Sequence, residues 1–373
     1  MRFRCTPAVV TATLLAVAVA PIVTSPANAA SPTDDYITVA PTRVFDTVGN
    51  APLKPGQKRA VQLTGGTVPT DAVAADITVT ASGRSHSGKL SIEPCGTSAA
   101  KVTVLRFAKA QSISDHVNAP LGTDGKVCVR VTSKADFQID LDGYYPSASG
   151  YHPITPTTVL ATRTIAVGAQ VSFKVAKGPI PTDTTSVAFY ATASFASNSG
   201  RIVLWPCGEP RPAVTAVSYP KTTPRIGFAL SPVGSNGKVC AWASHTTSLA
   251  VVAVGYYAPD TSLHAIAGAK VAGANVTAGA VTHVKVTGRS SHVAVDARGV
   301  QLSIETSGQH AAGKLTLYAC GHSKPATTVE TYGADDEIDD IAVTSIGAGG
   351  QVCIVSSKPA TLVVRLMGWY DNA

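Results

Sequence analysis

Gly88-Lys89-Leu90-Ser91-Ile92-Glu93-Pro94-Cys95 and Gly125-Lys126-Val127-Cys128 form a spaced pair of segments that the chain repeats twice more. The second copy runs from Gly200-Arg201-Ile202 to Cys207 and on to Gly237-Lys238-Val239-Cys240. The third runs from Gly313-Lys314-Leu315 to Cys320 and on to Gly350-Gln351-Val352-Cys353. The paired cysteines are 33 residues apart each time, and the copies recur every 112 or 113 residues. Each copy closes on Gly143-Tyr144-Tyr145, Gly255-Tyr256-Tyr257 or Gly368-Trp369-Tyr370. A repeat of this length is a domain rather than a solenoid turn. The chain therefore divides into a leader, 1–29, and three units, 36–146, 151–258 and 262–373.

Within a unit the apolar residues alternate with polar ones, and turn residues return every few positions, which is the pattern of short half-buried strands. Unit one reads as eight strands near 37–46, 58–64, 73–80, 88–94, 101–107, 113–119, 126–132 and 136–145. The expected fold class is all-β: three tandem antiparallel β-sandwich modules, jelly-roll-like, with one disulfide each. The pairs are Cys95–Cys128, Cys207–Cys240 and Cys320–Cys353. If Cys95 lies opposite Cys128, Glu93 faces Arg130, Trp205 faces Trp242 and Tyr318 faces Val355. Leu90, Ile92, Val127 and Val129 then point to the other side of the sheet, into the core.

The 373 residues are 45% hydrophobic and 14% charged, with 24 prolines and 32 glycines. This composition excludes a disordered chain and a coiled coil. Arg2 and Arg4, an apolar run from Ala8 to Val23 and Ala27-Asn28-Ala29 make a secretion signal, so the expected location is extracellular or cell-wall associated. No later stretch is apolar enough for a transmembrane anchor. The formal net charge is +7, two units of which leave with the signal. Without a dense Lys/Arg stripe, nucleic acid is not an expected partner.

The motifs resemble a tandem repeat of secreted actinobacterial proteins. Arg43-Val44-Phe45-Asp46-Thr47, Val68-Pro69-Thr70-Asp71-Ala72, Pro94-Cys95-Gly96 and Asp140-Leu141-Asp142-Gly143-Tyr144 carry the likeness. Departures are Val48 in place of an arginine, Ala161 at the place of Asp46, and Val252 and Arg365 at the place of Asp140. The resemblance implies an envelope-facing accessory or binding role and names no ligand.

No G-x-S-x-G motif occurs, and Gly288-Arg289-Ser290-Ser291-His292 fails at its last position. The histidines do not recur between units, so no catalytic residues and no enzyme are expected. Asp140 and Asp142 share a strand face but are absent from the other units; a tie to Arg43 or a solvated strand end outweighs glycosidase chemistry. The cysteine spacing lacks the close pairs of a zinc site. Asp335, Asp336, Glu337, Asp339 and Asp340 are the one acidic cluster, read as a solvated loop ahead of a calcium site. No cofactor or metal is expected.

Trp205 and Trp242 occur in unit two alone and are expected to form an outward aromatic patch that contacts a ligand. The leading expectation is a non-enzymatic binding protein whose partner is cell-wall glycan or another secreted or surface protein. The alternatives are a structural spacer or subunit of an extracellular assembly, and a divergent hydrolase. Non-reducing peptide mapping of the secreted protein should recover the three intra-unit bridges alone; a bridge between units would break the division proposed above.

Overall fold

The eight strands expected in unit one all form, with ends displaced by no more than three residues. They are β1 (Ile37–Asp46), β2 (Lys58–Gln62), β3 (Ala74–Gly83), β4 (Gly88–Pro94), β5 (Val102–Phe107), β6 (Ser112–Pro120), β7 (Lys126–Val131) and β8 (Ala135–Tyr145). The computed structural model describes residue 1 and residues 36–371, except positions 99, 100, 214, 222, 260 and 289–292. Beyond Met1, the expected secretion signal 1–29 lies outside the described residues.

The strands of unit one hydrogen-bond into two four-stranded sheets, in the orders β1-β8-β3-β6 and β2-β7-β4-β5, with every ladder antiparallel. Apart from β4 and β5, which pair as a hairpin, neighbours in each sheet are distant in sequence, so the chain wraps around the sandwich. That is the jelly roll.

Unit two repeats the arrangement with β9 (Tyr151–Ile165), β10 (Gln170–Lys174), β11 (Ser186–Ser194), β12 (Gly200–Pro206), β13 (Val217–Tyr219), β14 (Arg225–Pro232), β15 (Lys238–Ala243) and β16 (Thr247–Tyr257). Its sheets are β9-β16-β11-β14 and β10-β15-β12-β13. Unit three does so with β17 (Leu263–Val276), β18 (Val281–Lys285), β19 (Gly299–Ser307), β20 (Gly313–Ala319), β21 (Glu330–Tyr332), β22 (Ile338–Ser345), β23 (Gln351–Ser356) and β24 (Ala360–Tyr370). Its sheets are β17-β24-β19-β22 and β18-β23-β20-β21.

Leu90, Ile92, Val127 and Val129 are buried in the core of unit one, and Ile202, Leu204, Val239 and Ala241 in that of unit two. The cysteines occupy the opposite face, where Cys207 and Cys240 cluster with Val203 and Trp205, and Cys320 and Cys353 with Tyr318 and Val355. All three disulfides are formed, each with Cα atoms 5.0–5.1 Å apart. A bridge closing such a loop stabilises by ~3–4 kcal/mol in the chain-entropy view.

The register differs from the expected one by two residues. Glu93 faces Cys128, and Ser91 faces Arg130; Trp205 faces Cys240, and Val203 faces Trp242. The cause is that β4 ends at Pro94, and Cys95 has already turned out of the strand ahead of Gly96, whose φ is +72°. A slip of two residues keeps every side chain on its face, which is why the division into core and outer face survives.

The three sandwiches share a centre. Tyr36 stacks on Tyr370 with ring centroids 4.5 Å apart, and Tyr145 packs against Tyr151 at 4.3 Å. The Tyr145 hydroxyl meets that of Tyr257 at 2.9 Å and that of Tyr370 at 3.5 Å, and it accepts a hydrogen bond from the Asn118 amide. These rings explain the glycine of the Gly-Tyr-Tyr ending. A Cβ at Gly143 would meet the Tyr36 hydroxyl at 2.1 Å, and one at Gly255 the Tyr151 hydroxyl at 2.3 Å.

Replacing Tyr145 with Phe should lower stability by about 1–3 kcal/mol, because it strands the Asn118 amide in a dry site. Calorimetry should still show one transition for the three units; separate melting of unit one would contradict a common centre.

Candidate functional site

Three positions that correspond between units lie on the edge strands that meet around this centre: Asp115 on β6, Gly227 on β14 and Asp340 on β22. Unit two carries no side chain at this position, and a Cβ at Gly227 would meet Val217 of its own unit at 3.0 Å. Asp115 Oδ1 accepts from the Phe228 amide of unit two at 3.3 Å. Its Oδ2 and that of Asp340 are buried without a hydrogen-bond partner. Glu330 sits where Leu105 and Val217 pair with the neighbouring strand in the other units, and it is 1% exposed with neither carboxyl oxygen satisfied. Nearby, Asp76 accepts hydrogen bonds from the Tyr36 hydroxyl at 2.6 Å and meets His116 Nε2 at 2.8 Å.

Burial sets the chemistry of these groups, because an ion loses more solvation than its neighbours return. It pushes the Asp340 carboxyl up to about 7, against the pull of Arg225 and His116. Asp115 is raised by burial and by the charge of Asp340, Asp142 by burial and by Asp76, and Glu330 mainly by burial. For His116 burial acts downward, yet Asp76 together with Asp142 and Asp340 more than offsets it, and the imidazole is raised above its ordinary range.

The other expected sites are placed as follows. Asp140 is tied to Arg43 through two hydrogen bonds of 2.7 and 2.9 Å, and its Oδ2 also accepts from the Thr328 amide of unit three. Asp142 accepts from Thr78. Both are buried, so the pair is a structural tie between strands and units rather than a solvated strand end.

The acidic cluster is split. Asp335 and Glu337 are exposed and Asp336 half-buried, whereas Asp339 and Asp340 lie buried on β22. The expectation of a solvated loop fails for Asp339 and Asp340: as neighbours on β22 they point to opposite faces of the sheet, and both faces are covered. Asp339 accepts from Ser303, and Arg365 pairs with Glu305 at 2.8 Å on the strands beside it.

Trp205 and Trp242 do lie on the outer face, but they are diagonal rather than opposite, and they are not an open patch. Trp205 is 3% exposed and donates its indole N–H to the Glu209 carbonyl at 3.1 Å. Arg211, on the same loop, places its guanidinium 4.0 Å from the centre of the half-buried Trp242 ring.

Among the described residues one His/Cys/Asp/Glu group is close enough to suggest a metal: His283 with Cys320 and Cys353. Both sulfurs belong to a disulfide and offer no thiolate. Residues 289–292 of the serine-containing stretch lie outside the described residues.

Phe195 was not anticipated. It follows β11, is 86% exposed and has φ +52°. The ladders equate it with Gly83 and Gly308, which follow Ser82 and Ser307 at the corresponding ends of β3 and β19. Aligning the three copies would have revealed a phenylalanine where the other units have glycine.

The raised carboxyls give a signed pH dependence. A group held above its unfolded pKa contributes stability below about pH 4, and that contribution is lost as pH rises through its folded value, near 7 for Asp340. His116 acts in the same sense. Thermal unfolding should therefore occur at higher temperature at pH 5 than at pH 8. Asp340→Asn should flatten the difference and gain at least about 1 kcal/mol at pH 8. A Tm that climbs from pH 5 to pH 8 would contradict this assignment.

No protein-family model matches the chain, and no curated protein does. Several solved structures align with it. A chain of the STIV MCP crystal structure aligns with 59% of this chain and 97% of its own length, at TM-score 0.29 and 8% identity. A chain from the atomic structure of Sulfolobus Turreted Icosahedral Virus covers 91% of this chain and 92% of its own, at TM-score 0.22 and 10% identity. One described with the triple jelly roll fold and turret assembly of an archaeal virus covers 90% and 91%, at TM-score 0.23 and 11% identity. Scores at this level carry no argument about this chain, whose jelly-roll topology rests on its own strand order.

Proposed function

We propose that the protein is a non-catalytic structural subunit of an extracellular protein assembly, and that unit two supplies its contact with the neighbouring protein. The observation that carries this reading is Phe195. A left-handed backbone costs a residue with a side chain roughly 1 kcal/mol, and glycine avoids it. An aromatic ring held almost wholly in water at such a position contributes nothing to the core. Its use is an interface, where buried aromatic rings act as anchors.

Two further features support protein rather than glycan as the partner. A sugar ring would need a free aromatic face, and Arg211 covers one face of the half-buried Trp242. Trp and Arg are themselves enriched at the centres of protein interfaces. The pair is the second contact in this reading, and it keeps Trp242 as the candidate binding residue while Trp205 serves as its support. The secretion signal and the resemblance to secreted actinobacterial repeats support the extracellular location. The common centre supports a rigid building block over a string of independent binding modules.

The test is Phe195→Gly, which separates folding from contact by sign. The variant should be more stable by about 0.5–1 kcal/mol, since glycine relieves the left-handed strain. Cross-linking on intact producing cells should meanwhile lose the high-mass species containing the wild-type protein. Trp242→Ala should weaken the same species with a Tm shift of only a few degrees. If wild type forms no such species, and instead binds isolated cell walls in a sugar-competable way, the glycan-binding reading replaces this one.

A further inference from the structure

A cavity of about 480 Å³ lies where unit two meets unit three, with Gln111 of unit one in its lining. Its two main walls carry opposite charge. Unit two contributes Arg201 from β12 and Arg225 from β14; unit three contributes Asp336 and Glu337 from the loop entering β22. Among the described residues no ion pair within 4 Å closes the space between these walls. Asp335, also on the rim, is engaged by His310 at 2.9 Å.

The acidic loop is built in advance. Gln309, wholly buried, accepts the Asp335 amide on its backbone carbonyl at 2.8 Å, and its side-chain amide donates to the Gly333 and Asp336 carbonyls. A loop clamped this way loses little entropy on binding. Ser218 provides an independent sign of a missing partner. It lines the cavity, is 7% exposed, and its hydroxyl has no hydrogen-bond partner in the protein. Buried hydroxyls are seldom left so.

The walls select the ligand class. An isolated anion would be repelled by Asp336 and Glu337, and a bare cation by Arg201 and Arg225. A sugar finds no exposed aromatic face, since Tyr219 is 3% exposed and edge-bound to the His245 backbone through its hydroxyl. A lipid chain would have to desolvate the charged groups of both walls, since about half of the lining is polar. What remains is a molecule with both charges held apart. We propose that this cleft binds a small zwitterion of the amino-acid or short-peptide class, its carboxylate on Arg201 and its ammonium on Glu337 and Asp336. The guanidinium offers a paired donor geometry to a carboxylate, and the acidic loop offers acceptors to an ammonium. Arg225 is partly committed inward, where its charge acts on Asp115 and Asp340. Arg201 is therefore the principal carboxylate contact.

The experiment titrates the full secreted protein by NMR and calorimetry with triglycine, N-acetyl-triglycine and triglycine amide. Triglycine should bind saturably, and each blocked peptide should bind about tenfold or more weakly, because each lacks one charge. Arg201→Ala should abolish discrimination between triglycine and its amide; Glu337→Gln should reduce discrimination against the N-acetyl peptide. Both positions are on the surface, and an unchanged Tm confirms that the variants are folded. No saturable binding of triglycine up to about 10 mM, well beyond the range of specific small-ligand sites, overturns the proposal. So does equal binding of all three peptides, or binding indifferent to both substitutions.

Discussion

Burying polar sheet faces against one another is possible only if the polar atoms find partners, and this constraint shapes the whole molecule. Each jelly roll has an apolar interior of its own, so its second face could have remained in water. Here Asp76, Thr78 and Thr80 of β3 are nearly inaccessible although they face away from their own sandwich core. The hydroxyls of Tyr36 and Tyr145, the Asn118 amide and the Arg43 guanidinium satisfy much of this surface. Hydrogen bonds that cross between units, such as Tyr190 to the His116 carbonyl and Ser114 to Thr331, then fix how the units meet. Charge that no partner satisfies remains, and it appears as carboxyls displaced upward.

The repeat made the architecture legible. Three equal cysteine gaps and alternating apolar residues were enough to place eight strands, the core face and the bridges, since all of these depend on local periodicity. The register depended on where β4 stops. That is a matter of one turn at Gly96, which periodicity does not report. The common centre was illegible for a different reason. Tyr145, Tyr257 and Tyr370 recur at the close of every copy, but nothing in a sequence distinguishes packing within a unit from packing between units.

Departures from the repeat proved more informative about function than its invariant parts. Glu330 at an apolar position, the aspartates at 115 and 340 where unit two has Gly227, and Phe195 at a glycine position each break the correspondence between copies. The first two concern the interior, where they set a response to pH. Phe195 concerns the surface, where it costs stability without a return in folding. Of the aromatic pair Trp205 is buried and Trp242 half-buried, because the loop that carries Glu209 and Arg211 folds back over them. A loop with prolines at 210 and 212 gives no periodic signal from which that closure could be read.

The stacking of Tyr36 on Tyr370 has a topological meaning. Tyr36 begins the described fold and Tyr370 ends its last strand, and these rings touch across the same centre as the junctions between units one and two and between two and three. The chain thus travels once round an axis and returns to its starting point. A wheel of this kind has no privileged first spoke: a short link across the ends and a cut in the linker near 147–149 would leave every unit with both of its neighbours. Chain order is an accident of where the ring is opened, whereas the differences among the three spokes give the object a front and a back.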